Sequence, residues 1–228
     1  MRLSIVLPVF NEKDTIREIL RRVLATGLAD EILAVDDGST DGTRAILEEM
    51  APHHAALRLL LQPRNVGKGA AVRAGIQAAR GHLILIQDAD LEYDPREYPA
   101  LLAPIEEGRA DVVYGSRFLG GPRRTTMFWH MVANKMLTLM TNILYNSILS
   151  DMETGYKLFR RDVIQPIPLR CRRFDFEPEV TAKLLKRRVR IYEVPISFVP
   201  REYSEGKKIG MKDAFAAVWT LFKYRFVD

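Results

Sequence analysis

Along the first half of the chain, short apolar runs alternate with stretches of helical periodicity. Residues 3–9, 32–35, 57–61, 83–86 and 112–114 are nearly continuous apolar segments, the pattern of strands covered on both faces. Between them, residues 12–25 set Ile16, Ile19, Leu20, Val23 and Leu24 on one helical face, and residues 41–50 open on an acid that can cap a first turn. Residues 70–79 and 96–107 complete the alternation. Strand and helix alternating in this way predict an α/β fold, with a doubly wound, mostly parallel sheet flanked by helices.

The second half is less regular. Residues 127–149 read as an amphipathic helix, because His130, Asn134, Lys135, Asn142 and Asn146 interrupt what would otherwise resemble a membrane span. Residues 174–186 read as a helix with Glu177 and Glu179 near its start, and residues 189–199 as a strand pair around Pro195. The last helix, residues 211–226, carries Phe215, Val218, Trp219 and Phe222 on one face, which suits either a membrane surface or a core-facing stripe. The N-terminal apolar run is short, holds Pro8 and leads directly into Asn11 and Glu12, unlike a signal peptide.

Composition narrows the picture little: 228 residues with 47% apolar content suffice for one large domain, residues 1–228. The single cysteine, Cys171, excludes an intrachain disulfide and a Cys-rich zinc site, and reads as an incidental thiol in a reducing compartment. Charge changes the picture more. Residues 1–114 hold 13 Lys and Arg against 18 Asp and Glu, and residues 115–228 hold 21 against 11, so the halves carry −5 and +10. The basic half includes Arg117, Arg123, Arg124, Arg201, Lys207 and Lys208 and suits an anionic partner.

Candidate chemistry lies where the strands end. Residues 83–86 run into Gln87-Asp88-Ala89-Asp90, and residues 32–35 into Asp36-Asp37 followed by Gly38-Ser39-Thr40-Asp41-Gly42-Thr43. In an open parallel sheet, ligands bind outside the carboxyl ends of the strands, so both pairs share one crevice. Two like charges one residue apart are costly unless a cation neutralises them, and oxygen ligands suit a hard divalent ion; capping of the helix that Pro95 opens is the plainer use of such acids.

Five ordered segments together resemble the family 2 inverting glycosyltransferases of GT-A fold, in particular the dolichol-phosphate mannose synthase-like branch. They are Pro8-Val9-Phe10-Asn11-Glu12, residues 35–43, Asn65-Val66-Gly67-Lys68-Gly69, Asp88-Ala89-Asp90 and Gly115-Ser116-Arg117. The resemblance covers nearly the whole chain. It implies a nucleotide-sugar-binding half, residues 1–116, and an acceptor-binding half, residues 117–228.

For the donor it implies contacts from Pro8, Phe10, Glu12, Asp37, Lys68, Asp88, Ala89, Asp90, Arg201 and Lys207. Asp88 and Asp90 would hold Mg²⁺ or Mn²⁺, with Glu92, which stands where the branch has Gln, as a third ligand. The implied acceptor is a lipid-linked phosphate, GDP-mannose or UDP-glucose being the donor. An ionised phosphate attacks without a strong general base, so Asp88, Asp90 and Arg117 are expected to carry catalysis.

Arg117, His130, Asn134 and Arg201 would hold the acceptor phosphate, His130 and Asn134 standing where the resemblance places an Arg and a Ser in archaeal members. Residues 202–208 would form a cationic lid. Asp151, within Asp151-Met152-Glu153-Thr154-Gly155-Tyr156-Lys157, would anchor Lys157, hold a donor-sugar hydroxyl or cap the next turn. The expected setting is cytoplasmic, peripheral at the membrane face, with a separate membrane-anchoring protein as a further partner.

Two other readings remain. A hydroxyl acceptor on a glycan, protein or polyol would require a base, with Asp151 and Glu153 as first choices. A non-catalytic nucleotide- or nucleic-acid-binding module fits the basic half, but the chain lacks the aromatic-interleaved basic surface that stacks bases, so no nucleic-acid partner is expected.

Overall fold

The computed structural model describes residues 1–121, 128–199 and 211–227. Seven strands form one sheet: β1 (Leu3–Val9), β2 (Glu31–Asp36), β3 (Leu57–Leu61), β4 (Leu83–Ile86), β5 (Val112–Ser116), β6 (Lys157–Arg160) and β7 (Ile191–Pro195). Their order is β3-β2-β1-β4-β6-β5-β7. β1 to β4 are mutually parallel and β5 is parallel to β7, whereas β6 runs antiparallel to both neighbours, β4 and β5.

The helices are α1 (Ile16–Ala25), α2 (Thr43–Met50), α3 (Lys68–Ala78), α4 (Tyr98–Glu106), α5 (Phe128–Tyr145), α6 (Arg161–Ile164), α7 (Phe176–Lys186) and α8 (Met211–Phe226). Period-two alternation along the strands divides the core into two layers. Ile5, Leu7, Ile32, Ala34, Leu85, Val113 and Leu158 face α1, α2 and α4. Val6, Leu33, Val35, Ile84, Ile86, Val112 and Phe159 face α3, α5, α7 and α8. The expected α/β layering is therefore present, and the five expected strands stand where the apolar runs lie.

Several local readings need correction. The helix expected from residue 12 starts at Ile16, because Glu12 to Thr15 form a turn in which the Glu12 carbonyl accepts from both Thr15 and Ile16 N–H. Residues 189–199 form one strand rather than a pair: β7 ends at Pro195, and Ile196 N–H then donates to the Ser116 carbonyl. β6 is absent from the sequence reading because Lys157 and Arg160 bracket only two apolar residues.

On α8, Ala217, Leu221 and Tyr224 face the core, whereas Phe215 and Trp219 stand outward at 72% and 69% exposure, so the aromatic stripe is not the core-facing one. Cys171 is a buried free thiol whose burial pushes its pKa up.

Candidate active site

The carboxyl ends of β1, β2 and β4 open onto one edge, and side chains there bind neighbouring backbone. Asp36, the last residue of β2, is fully buried, ion-paired with Arg44 at 2.5 Å, and accepts from Ser39 N–H at 3.2 Å. Asp37 accepts from Val66 and Gly67 N–H, both at 2.8 Å. Asn11, in the left-handed region at φ 53°, donates its N–H to Ser39 Oγ at 3.0 Å and accepts from Thr40 N–H at 2.9 Å. Glu12 N–H donates to Thr43 Oγ1 at 2.9 Å, and its carboxylate accepts from Thr15 Oγ1 at 3.0 Å. Pro8 is buried within β1 and Phe10 lies half-buried just past its end.

The loop that Asp37 fixes delivers Lys68 as the first residue of α3. Gly67 has φ +109°, and a Cβ there would stand 2.3 Å from the Arg172 carbonyl oxygen, so only glycine allows this close approach. The Lys68 ammonium lies 2.9 and 3.0 Å from the two Asp88 oxygens and 3.3 Å from Glu177 Oε1. Burial opposes its charge, but Asp88 and Glu177 outweigh burial and raise its pKa. Gly155 closes the other side: a Cβ there would meet Asp88 Oδ2 at 2.5 Å.

Tyr93 accepts from Gly155 N–H at 3.1 Å, its hydroxyl pushed up to about 12 mainly by burial. Ala89 is buried, Asp90 Oδ1 accepts from Glu92 N–H at 3.2 Å, and Glu92 is half-buried. Among the described residues no group of three or more His, Cys, Asp or Glu could hold a metal ion, so Asp88, Asp90 and Glu92 do not form a self-sufficient ligand triad.

Beside this pocket, Arg117 donates through Nε and Nη2 to the two Asp151 oxygens, both at 2.7 Å, and its N–H donates to Asp151 Oδ2 at 3.0 Å. Asp151 therefore anchors Arg117, not Lys157 and not a turn. Burial opposes the guanidinium charge, and Asp151 more than offsets it, raising the pKa. Arg117 also stacks on Phe198 at 5.1 Å.

Lys157, fully buried, donates to the carbonyls of Met152 (2.8 Å) and Thr154 and lies 4.0 Å from the centre of the Tyr114 ring; burial lowers its pKa. Glu153 lies in the same cluster, with its Oε1 buried and without a hydrogen-bond partner. Burial, reinforced by Glu177, raises its carboxyl to about 8.

His130 and Asn134 lie one turn apart on α5, both half-buried. Arg123, Arg124, Arg201, Lys207, Lys208 and the expected lid fall outside the described residues. Glu177, Gly155 and Tyr93 are site residues that sequence reasoning does not reach. The sequence's signal for Glu177 is the pair of acids opening α7; their burial at 4% and 1% exposure, unusual for two carboxylates, is seen only in the structure.

Residues 4–167 match the pattern of glycosyl transferase family 2. The chain belongs to that family. A polyprenol monophosphomannose synthase from Mycolicibacterium smegmatis is 31% identical over 92% of this chain and 82% of its own length. A dodecaprenyl-phosphate galacturonate synthase from Rhizobium johnstonii is 29% identical over 99% and 67%. An undecaprenyl-phosphate 4-deoxy-4-formamido-L-arabinose transferase from Salmonella paratyphi A is 32% identical, and this glycosyltransferase spans 62% of its length.

The fold also matches glucosyl-3-phosphoglycerate synthase of Mycobacterium tuberculosis, solved with Mn²⁺, uridine diphosphate and glucosyl-3-phosphoglycerate. The TM-score is 0.77 at 19% identity, covering all of this chain and 81% of that one. Among the described residues no helix is long and apolar enough to cross a membrane.

Proposed function

We propose that this enzyme transfers a hexose, with inversion, from a nucleoside-diphosphate sugar (GDP-mannose or UDP-glucose) to a polyprenyl phosphate at a membrane face. The pairing of Asp88 with Lys68 carries this reading. A carboxylate suited to a hard cation and an ammonium suited to a diphosphate stand together where an open parallel sheet binds its ligands. The three relatives named above are called synthases or transferases of polyprenol or polyprenyl-phosphate sugars, which supports the acceptor class.

Pro8, Phe10, Glu12 and Asp37 border the place for base and ribose, and each Asp37 oxygen keeps a lone pair beyond its one backbone bond. Asp88 and Asp90 would hold Mg²⁺ or Mn²⁺. Two carboxylates completed by diphosphate oxygens are the set a hard cation accepts in phosphate sites, so these residues fit one. Such a cation neutralises the departing nucleoside diphosphate. Lys68 and the N-terminus of α3 add positive potential on the same side, and Arg201 and Lys207 would be further cations for the diphosphate.

On the acceptor side Arg117 is oriented by Asp151 and retains N–H groups for a phosphate oxygen, joined by His130, Asn134 and Arg201. Because Arg117 takes both Asp151 oxygens, Asp151 is poorly placed to act as a base, which favours an acceptor that is already ionised. Exposed Trp129, Met136 and Ile143 on α5, with Phe215, Trp219 and Phe226 on α8, support peripheral contact with the lipid surface where the acceptor resides.

The deciding assay is nucleoside-diphosphate release from each donor, with Mg²⁺ or Mn²⁺ and with or without a short polyprenyl phosphate, on wild type and Asp90→Ala. Lipid-dependent release from one donor, lost in the variant, is expected. Turnover only with a hydroxyl acceptor would move attention to Glu153, whose unpartnered oxygen and raised pKa make it the remaining candidate base.

A further inference from the structure

Lys68 approaches both oxygens of Asp88 and also Glu177, yet its side chain keeps 21% exposure. The backbone beneath it is fixed. Asp37 holds the two preceding residues, Gly67 is pressed against the Arg172 carbonyl, and Gly69 N–H donates to the Arg173 carbonyl at 2.9 Å. Motion is therefore left to the four-carbon stem. Gly155 borders the same pair: a Cβ there would stand 2.5 Å from Asp88 Oδ2 and 3.4 Å from Lys68 Nζ. A second cation reaching the same Asp88 oxygens would meet the ammonium's positive charge already at hydrogen-bond distance from them.

Resting on Asp88 as a ligand of the divalent cation, we infer that Lys68 is a positioning residue that occupies the Asp88 carboxylate until metal arrives and then passes to the donor diphosphate. Metal alone must displace a well-paired ammonium into solvent. Donor alone draws the ammonium away and leaves Asp88 and Glu177 facing a diphosphate without neutralisation. When both arrive, every charge regains a partner, so metal and donor bind with positive, reciprocal coupling that Lys68 transmits.

The test uses the full chain as wild type, Lys68→Met and Lys68→Arg. Mn²⁺ binding is read by loss of the free-ion electron paramagnetic resonance signal, alone and with GDP or UDP. Amine labelling of Lys68 in the wild type is read by mass spectrometry. Lys68→Met should bind Mn²⁺ alone about tenfold more tightly and lose the same factor from its coupling to nucleotide, whereas Lys68→Arg should resemble wild type. In the wild type, Mn²⁺ alone should increase Lys68 labelling, and Mn²⁺ with nucleotide should protect it.

A merely structural lysine would move Mn²⁺ affinity the other way on replacement. Equal or weaker Mn²⁺ binding by a folded Lys68→Met, or unchanged labelling at saturating Mn²⁺, overturns the inference while leaving the metal site standing. If no form binds Mn²⁺ with either nucleotide, the metal reading falls and takes the inference with it. The labelling experiment needs no variant to fold.

Discussion

The two edges that the proposed function assigns to donor and acceptor are built by opposite means. On the donor edge, polar side chains bind backbone N–H groups: Asp36 takes Ser39 within its own loop, and across distant segments Asp37 takes Val66 and Gly67 and Asn11 takes Thr40. On the acceptor edge, α5 and α8 pack together yet turn apolar side chains outward, with Trp129 at 75% and Trp219 at 69% exposure. A soluble small-molecule donor calls for loops held to a fraction of an ångström. An acceptor with a long hydrocarbon tail calls instead for a surface that tolerates lipid. The difference separates residues whose loss should loosen the fold from residues whose loss should leave it intact.

The sharpest way to break the contrast is Asp151→Ala, at the seam between the edges. It leaves Arg117 charged, largely buried and without its bidentate partner, and should cost about 3–5 kcal/mol, read as a large fall in thermal midpoint. A midpoint within a degree of wild type would mean that the pair is not structural.

Asp37→Ala removes the acceptors for two backbone N–H groups and should cost about 1–3 kcal/mol, weakening donor binding in calorimetry beyond what stability explains. Intact donor affinity would detach that loop from the site.

Glu153 offers a smaller, pH-dependent test. Its folded pKa of about 8 exceeds the ordinary carboxyl value of 4.5, so between these limits the folded state holds a proton that the unfolded state has lost. Stability from this group is therefore full below about pH 4.5 and declines toward pH 8. Denaturant titrations of Glu153→Gln should show a shallower decline across that window, and parallel curves would rule Glu153 out as its source.

The smallest expected change in stability, within about 0.5 kcal/mol, belongs to the pair Phe215→Ser and Trp219→Ser. These same substitutions should reduce sedimentation with anionic vesicles several-fold. If vesicle binding is unchanged, α8 is not the membrane-facing surface.

Much of this organisation is legible in the sequence. Strands buried on both faces announce themselves as unbroken apolar runs, and acids after residues 86 and 35 mark the crevice without any knowledge of pairing. Pairings between distant residues are not legible. Asp151 meets Arg117 across 34 positions and Lys68 meets Asp88 across 20, and no local pattern distinguishes these partners from other charges. β6 is hidden for a related reason: burying Lys157 becomes tolerable only once carbonyls of Met152 and Thr154 cap its ammonium, a tertiary arrangement that hydropathy does not encode.

The reversed strand in mid-sheet also sets the order in which the enzyme can assemble. β4 and β5 follow each other in the chain but never touch, because β6 stands between them, and the other neighbour of β5, β7, comes later still. A chain emerging from the ribosome therefore presents β5 with neither edge paired until residue 157 and beyond are available, an interval exposed to mispairing and aggregation. Because the segment entering β6 also carries Gly155 against Asp88, maturation of the proposed catalytic crevice waits on the same late insertion.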